Sequence, residues 1–125
     1  MTAPARILIV DDDRFARAVL RDALEQEVSD AVISEAGDGD EALDQVRTEA
    51  PDLVLLDLFM PKRSGIQALS DIREAAPATQ VVVISSLDSP ALMEQAKQAG
   101  AVSFILKPFH ALEIQAAVRQ ALGGK

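Results

Sequence analysis

The sequence has no cysteine, no tryptophan and a single histidine. Without cysteine, disulfides, thiolate metal sites and thiol nucleophiles are excluded from any mechanism. No apolar run approaches the roughly 18 residues of a membrane-spanning helix, and residues 1–6 lack the basic-then-apolar order of a secretory signal. We therefore expect a cytoplasmic protein that makes no contact with a membrane.

Positive charge is also scarce, with 12 basic against 20 acidic residues and a net charge of −8. Binding to nucleic acid depends on Lys and Arg that neutralise phosphates, so we expect none by this domain. We expect the acidic chain to bind a cation, or a basic surface on a partner, instead of nucleic acid. A length of 125 residues with 49% hydrophobic content predicts one domain over residues 1–125.

Short apolar runs rich in branched residues recur along the chain and predict strands. They lie at residues 7–10, 31–33, 53–56, 81–84 and 104–106. Runs that are continuously apolar indicate strands buried on both faces, as in a parallel sheet whose crossovers cover it. The sequence therefore predicts a doubly wound α/β domain.

Between these runs, apolar residues at helical spacing predict helices that face a core. In the first predicted helix they are Phe15, Val19, Leu20, Ala23 and Leu24. Start signals agree with this, because Asp38 and Ser64 have capping-box spacing and Ser89 precedes a proline.

Polar residues stand directly after four of the predicted strands. They are Asp11, Asp12 and Asp13, then Asp57, then Ser85 and Ser86, and then Lys107. Open parallel sheets bind ligands beyond the carboxyl ends of their strands. Carboxylates that converge there would repel each other, raising the pKa of at least one, unless a cation is present. Mg²⁺ suits such oxygen ligands, and an aspartate beside Mg²⁺ and Lys107 can attack a phosphoryl donor. We interpret Asp57 as that nucleophile.

Each of these residues has a simpler explanation when taken singly. Residues 11–13 could cap a helix that starts near Arg14, and Asp57 could be a turn residue. Lys107 could be a solvated surface charge, and Ser85 could satisfy a nearby backbone group. The coincidence of all four at successive strand ends favours a shared site.

The residues that carry these features form familiar motifs: Ile-Leu-Ile-Val-Asp-Asp at 7–12, Leu-Leu-Asp-Leu-Phe-Met-Pro at 55–61 with Gly65, Val-Ile-Ser-Ser at 83–86, and Lys-Pro-Phe at 107–109. Over residues 6–122 the chain resembles the receiver (CheY-like) domains of two-component response regulators. The resemblance implies five helices around a five-stranded sheet of order 2-1-3-4-5. It also implies a sensor histidine kinase or phosphotransfer protein as the phosphoryl donor.

The same resemblance implies a role for each site residue. Asp11, Asp12, Asp57 and the backbone carbonyl of Phe59 would hold Mg²⁺, and Asp57 would be the phosphoacceptor. Ser85 would bond the phosphoryl group, Phe104 would move into the space that Ser85 vacates, and Lys107, before a cis proline bond, would pair with the phosphate. The surface of the fourth helix, fifth strand and fifth helix would then bind an output partner or form a homodimer.

Other interpretations remain open at this point. The chain could be an excised receiver of a larger regulator, such as a chemotaxis methylesterase or a transcription factor, or a receiver that only binds. Gly37, Gly39 and Ala42 match a dinucleotide-binding fingerprint, although the neighbouring carboxylates would repel a pyrophosphate. Asp11 and Asp13 have the Asp-x-Asp arrangement of an aspartate-nucleophile phosphohydrolase.

Overall fold

A computed structural model describes residues 3–59 and 64–123, in which strands and helices alternate. The strands are β1 (Arg6–Val10), β2 (Val32–Ala36), β3 (Leu53–Asp57), β4 (Gln80–Ser85) and β5 (Ser103–Leu106). The helices are α1 (Arg14–Glu27), α2 (Gly39–Glu49), α3 (Gly65–Ala75), α4 (Pro90–Gln98) and α5 (Ala111–Gly123). No helix in these ranges combines the length and apolar character that crossing a membrane requires.

The strands form one parallel sheet in the order β2-β1-β3-β4-β5, which confirms the predicted topology. All of β3 is buried, as its continuous apolar run predicted. Side chains alternate between the two faces, so Leu8 and Val10 pack in one cluster with α2 and α3, while Ile7 and Ile9 pack in another with α1 and α5. Both faces of the sheet are therefore covered.

The second strand was predicted too early and too short, at residues 31–33 rather than Val32–Ala36. Its later residues include Ser34 and Glu35, which interrupt the apolar run that the prediction relied on. β2 lies at the edge of the sheet, where polar side chains keep access to water and to neighbouring helices.

The inner face of α1 was predicted too broadly. Leu20, Ala23 and Leu24 are buried, but Phe15 is 76% exposed and Val19 45% exposed. Phe15 and Val19 share a stripe that lies roughly 100° round the helix from the buried one, since one residue step turns a helix by about that angle. Only the narrower stripe contacts the sheet.

Side-chain caps start the first four helices. Asp38, Ser64 and Ser89 each accept a hydrogen bond from a backbone N–H in the first turn, which confirms the three predicted caps. Asp13 does the same for α1, accepting from the N–H of Phe15 at 2.9 Å. These caps set where each helix leaves the carboxyl edge of the sheet.

Candidate functional site

The carboxyl ends of β1, β3 and β5 bring Asp11, Asp57 and Lys107 together. Lys107 Nζ lies 3.0 Å from Asp11 Oδ2 and 3.3 Å from Asp57 Oδ2. Asp11 is 1% exposed and Asp57 is 6% exposed. Residues that are 50 and 96 positions apart in the chain therefore share one ion-pair network.

Asp12 completes an acidic cluster at this edge. Carboxylate oxygens of Asp11, Asp12 and Asp57 all lie within 4.8 Å of one another, with Asp12 on the exposed side. This set of hard oxygen donors, open to solvent on one side, fits a small divalent cation that keeps some of its water. The cluster could hold a metal ion.

Backbone N–H groups orient the two buried carboxylates. Asp11 Oδ1 accepts from the N–H of Asp13 at 2.9 Å, and Asp57 Oδ1 accepts from the N–H of Phe59 at 3.0 Å. In each case the second oxygen, Oδ2, faces Lys107. The capping explanation thus holds for Asp13, whereas Asp11 is directed into the cluster.

The electrostatics of Asp57 reflect competing effects. Burial raises its pKa, the hydrogen bond from the Phe59 N–H lowers it, the negative charge of Asp11 raises it, and Lys107 lowers it; the net result is a raised pKa. A carboxylate held in this way is a stronger base and nucleophile than a free aspartate once it is ionised. The carboxylates of Asp57 and Asp11 therefore repel each other, and a bound cation would reduce this repulsion.

The pKa of Lys107 is also raised, although burial acts on it in the opposite direction. Burial alone would lower its pKa, but the hydrogen bond to Asp11 and the charges of Asp57 and Asp11 outweigh burial and raise it. Lys107 is therefore a firmly protonated cation, and the expected cis bond to Pro108 is confirmed.

Ser85 ends β4 and is paired with Leu106, the last residue of β5, directly before Lys107. It is fully buried, its Oγ accepts from the N–H of Leu87 at 3.1 Å, and its carbonyl accepts from the N–H of Lys107 at 2.8 Å. The simple explanation that Ser85 satisfies a backbone group therefore holds here. Ser86 is exposed.

Phe104, the predicted switch residue, lies on β5 opposite Val83 and is partly buried against the cluster that contains Ala96 of α4. Beside it runs a groove of about 420 Å³ between α4 and β5, whose lining includes Met93, Lys97 and Val102. Met93 is 38% exposed and Val102 is 52% exposed. Phe104 thus sits between the buried sheet and an open, partly apolar surface.

Gly65 explains part of the motif after Asp57. A Cβ at this position would lie 2.3 Å from the carbonyl oxygen of Leu58, a distance that no real contact permits. Glycine at the start of α3 therefore lets the helix approach the segment that carries Asp57 and Phe59. Met60 and Pro61 of the same motif lie outside the described residues.

Sequence reasoning missed Arg17. Its Nη1 donates to the backbone carbonyl of Asp11 at 2.6 Å, and its Nε donates to Glu35 Oε1 at 2.8 Å. Arg21, one turn later, donates from Nε to Glu35 Oε2 at 2.8 Å. The available signal was an acidic residue inside an edge strand together with two arginines at helical i, i+4 spacing on the preceding helix.

Comparison with known proteins agrees with this architecture. The family model of the response regulator receiver domain matches residues 7–119. The chemotaxis protein CheY of Bacillus subtilis is 36% identical over 117 residues, which are 94% of this chain and 97% of that protein. A protein-glutamate methylesterase/protein-glutamine glutaminase of Myxococcus xanthus is 41% identical over 109 residues, which are 86% of this chain and 31% of that protein.

Among solved structures, the CheX-CheY-BeF3-Mg²⁺ complex from Borrelia burgdorferi contains a chain that superposes with a TM-score of 0.88 at 31% identity. The match covers 95% of this chain and 90% of that one. The chain belongs to the response regulator receiver domain family. The prediction made from its motifs is confirmed.

The two enzyme alternatives do not fit the local geometry. In the loop with the dinucleotide-like fingerprint, Asp38 caps α2 and the N–H of Gly37 donates to Glu41 Oε1 at 3.3 Å, so carboxylates occupy the donors that a pyrophosphate would need. For the phosphohydrolase, Asp13 would have to act as an acid, but its side chain is the cap of α1.

Proposed function

We propose that this receiver domain accepts a phosphoryl group on Asp57 in a Mg²⁺-dependent reaction and passes the change to a partner. One observation carries the proposal. Asp57 Oδ2 is buried at a strand end, 3.3 Å from the ammonium of Lys107, within a cluster of carboxylates that could hold a divalent cation. Transfer of phosphoryl groups relies on positioning and on neutralising oxygen charge, and this site supplies both.

The metal ligands in this proposal are the carboxylates of Asp11, Asp12 and Asp57 and the backbone carbonyl of Phe59. When bound, Mg²⁺ neutralises phosphoryl oxygens and orients them beside the acceptor. The relative solved as a CheX-CheY-BeF3-Mg²⁺ complex supports this choice of ion. The acidic cluster itself is compatible with other hard divalent cations of similar size.

In the transfer, Asp57 Oδ2 forms a bond to phosphorus as the bond from phosphorus to the donor breaks. The donor, a phosphohistidine of a sensor kinase or phosphotransfer protein, leaves as neutral imidazole. Lys107 keeps its proton and pairs with a phosphoryl oxygen. Small phosphodonors can replace the protein donor, because the domain itself provides the catalytic groups. In this proposal it catalyses its own phosphorylation and dephosphorylation and is otherwise no enzyme. In dephosphorylation, a water oxygen forms a bond to phosphorus as the bond from phosphorus to Asp57 Oδ2 breaks, which frees the carboxylate and releases inorganic phosphate.

Phosphorylation replaces the single negative charge of the Asp57 carboxylate with nearly two on the phosphoryl group, and it brings new acceptor oxygens. Ser85 would exchange its bond from Leu87 for one to a phosphoryl oxygen, and Phe104 would move into the space that Ser85 leaves. The surface of α4, β5 and α5 would then bind an output protein or effector domain, or a second copy of the chain. The groove beside Phe104 supports this direction of signalling.

The organisation proposed is one domain over residues 1–125, with its core at residues 6–122, that acts in the cytoplasm of a bacterium. Matches to CheY over almost its full length and to about a third of a methylesterase are compatible with either a free-standing or a tethered receiver. The output is therefore proposed only as partner binding through α4, β5 and α5.

The test is intact mass spectrometry after incubation with acetyl phosphate and Mg²⁺, followed by mapping of the modified peptide. We expect one added phosphoryl group on Asp57, its loss when Mg²⁺ is chelated, and no modification of Asp57→Asn. The matched control is Asp88→Asn, which removes an exposed aspartate three residues beyond Ser85 and should be modified like the wild type. Transient label on Asp11 would instead support the phosphohydrolase, and failure of the wild type to be modified would overturn the proposal.

A further inference from the structure

One guanidinium ties the backbone of the acidic cluster to the edge strand. Arg17 Nη1 donates to the Asp11 carbonyl at 2.6 Å, while Nε donates to Glu35 Oε1 at 2.8 Å. The Arg17 side chain is only 19% exposed. Arg17 therefore links β1, where the cluster begins, to Glu35 of β2.

The carbonyl that Arg17 holds belongs to the peptide bond between Asp11 and Asp12, two of the three clustered carboxylates. A peptide unit is planar, so turning this carbonyl changes ψ of Asp11 and φ of Asp12 together. Either change would redirect a carboxylate of the cluster. The direction of one carbonyl thus sets the positions of two acidic side chains.

The remaining polar groups of Asp11 have other partners. Its N–H donates to the Ala36 carbonyl at 3.1 Å, Oδ1 accepts from the Asp13 N–H, and Oδ2 accepts from Lys107. Of these contacts, the one to Lys107 involves a group that the proposed mechanism needs for the phosphoryl oxygens. The contact from Arg17 to the Asp11 carbonyl involves neither Lys107 nor a carboxylate oxygen of the cluster.

We propose that Arg17 is a positioning residue that presets Asp11 and Asp12 for a divalent cation by holding the peptide bond between them. The inference rests on the proposed metal-dependent function. Glu35 orients the guanidinium, and its pKa is lowered mainly by the hydrogen bond from Arg21, so it remains an anion. A guanidinium can serve the carbonyl and the carboxylate at once, whereas an ammonium concentrates its donors at a single nitrogen.

Arg21 provides a matched control on the same helix. It binds the other oxygen of Glu35 at 2.8 Å, with Nη2 donating to the Ile33 carbonyl at 3.3 Å. Like Arg17, it binds Glu35 of β2. Within the described residues it makes no hydrogen bond or ion pair with Asp11. Loss of Arg21 removes a comparable ion pair and should leave the Asp11–Asp12 peptide in place.

The experiment titrates Mg²⁺ into unphosphorylated wild type, Arg17→Ala, Arg17→Lys and Arg21→Ala, followed by amide NMR shifts. Stability is measured in parallel by urea denaturation. We expect both Arg17 variants to bind Mg²⁺ about tenfold more weakly, as is common when support of a metal ligand is lost, and Arg21→Ala to change the affinity less than about twofold. In the metal-free proteins, the amide signals of Asp12 and Asp13 should move in Arg17→Ala and stay in Arg21→Ala.

Two results would overturn the role of Arg17. One is wild-type Mg²⁺ affinity in Arg17→Ala; the other is equal weakening in Arg21→Ala, which would show a general effect of the ion-pair network. If Arg17→Ala does not fold, Arg17→Lys carries the same comparison with Arg21→Ala. Absence of Mg²⁺ binding by the wild type would instead overturn the metal site itself, so the two failures are distinguishable.

Discussion

The interior of the sheet and its carboxyl edge are built from the same strands but obey opposite rules. β3 is apolar and fully buried from Leu53 to Leu56, and then ends in Asp57, which is 6% exposed and has a raised pKa. Inside, each buried side chain contributes to stability by leaving water. At the edge, buried like charges repel each other, so we expect these residues to contribute less to the free energy of unfolding than apolar residues would. In this domain, therefore, the apolar residues that stabilise the fold and the charged residues of the candidate site lie in separate regions of the same strands.

The largest expected effect is in the interior. Leu24→Ala removes a side chain that is 0% exposed in the α1–α5 layer and should lower the free energy of unfolding by about 3 kcal/mol. Leu92→Ala, on α4 and only partly buried, should cost about 1 kcal/mol. Urea denaturation followed by circular dichroism measures both, since the chain has no tryptophan. Equal losses in the two variants would contradict the larger contribution of the interior. A change in Mg²⁺ affinity in Leu24→Ala would contradict the separation of the interior from the site.

The next largest effect is expected at Gly65, which lets α3 approach the carboxyl edge of the sheet. Gly65→Ala places a Cβ 2.3 Å from the Leu58 carbonyl oxygen and should destabilise the protein by about 2 kcal/mol, because backbone has to move. That movement displaces the segment between Asp57 and Phe59, so Mg²⁺ should also bind more weakly. Gly37→Ala is the control: its Cβ would lie 3.8 Å from Arg17 Nη1, and stability should stay within about 0.5 kcal/mol. A Gly65→Ala protein as stable as Gly37→Ala would contradict the close approach.

A smaller effect of opposite sign is expected at the phosphoacceptor. Asp57→Asn removes a charge that burial and Asp11 disfavour, and should stabilise the metal-free protein by on the order of 1 kcal/mol at neutral pH. Saturating Mg²⁺ should reduce this gain, because the ion stabilises the wild type by binding it. Thermal unfolding with and without Mg²⁺ measures the difference. A destabilised Asp57→Asn would show that Lys107 outweighs the cost of burying the charge.

The pH dependence follows with its sign. The pKa of Asp57 is raised in the folded protein above its ordinary value of 3.8, so between the two pKa values the folded state binds more protons than the unfolded chain. The contribution of Asp57 to stability therefore falls as the pH rises through that window. The stability difference between Asp57→Asn and wild type should grow from acid to neutral pH in the absence of metal. A constant difference would mean that the pKa of Asp57 is not raised.

The smallest effect on stability is expected at the rim of the site. Phe59 is 49% exposed, so Phe59→Asn should change stability by less than about 0.5 kcal/mol. We hypothesise that this apolar side chain, two residues beyond Asp57, obstructs an attacking water, as would the exposed Leu87, two residues beyond Ser85. The phosphorylated variant should lose its phosphoryl group on the order of tenfold faster, a barrier change of about 1.4 kcal/mol. Leu112→Asn, at an exposed position of α5, should leave the rate unchanged, and an unaltered rate in Phe59→Asn would defeat the hypothesis.

Much of this site could be predicted because parallel strands end at one edge, so the residues that follow each apolar run had to meet there. Asp11, Asp57 and Lys107 were located in this way. Arg17 could not be, because its importance depends on which carbonyl its guanidinium reaches, and that depends on how α1 lies across β1 and β2. The exposure of Phe15 was missed for the same reason: helical periodicity shows an apolar stripe but not its contact width.

The alternation of strands and helices, the helix caps and the family follow from the sequence alone, since these depend on local spacing and on motifs of adjacent residues. The full length of the edge strand β2, the raised pKa of Asp57 and the link from Arg17 to Asp11 became visible in the folded chain. Each of these depends on distances between elements that are far apart in the chain. Burial and charge interactions depend on distances in space. They can be predicted from the sequence only at the strand ends, because the ends of parallel strands meet at one edge of the sheet.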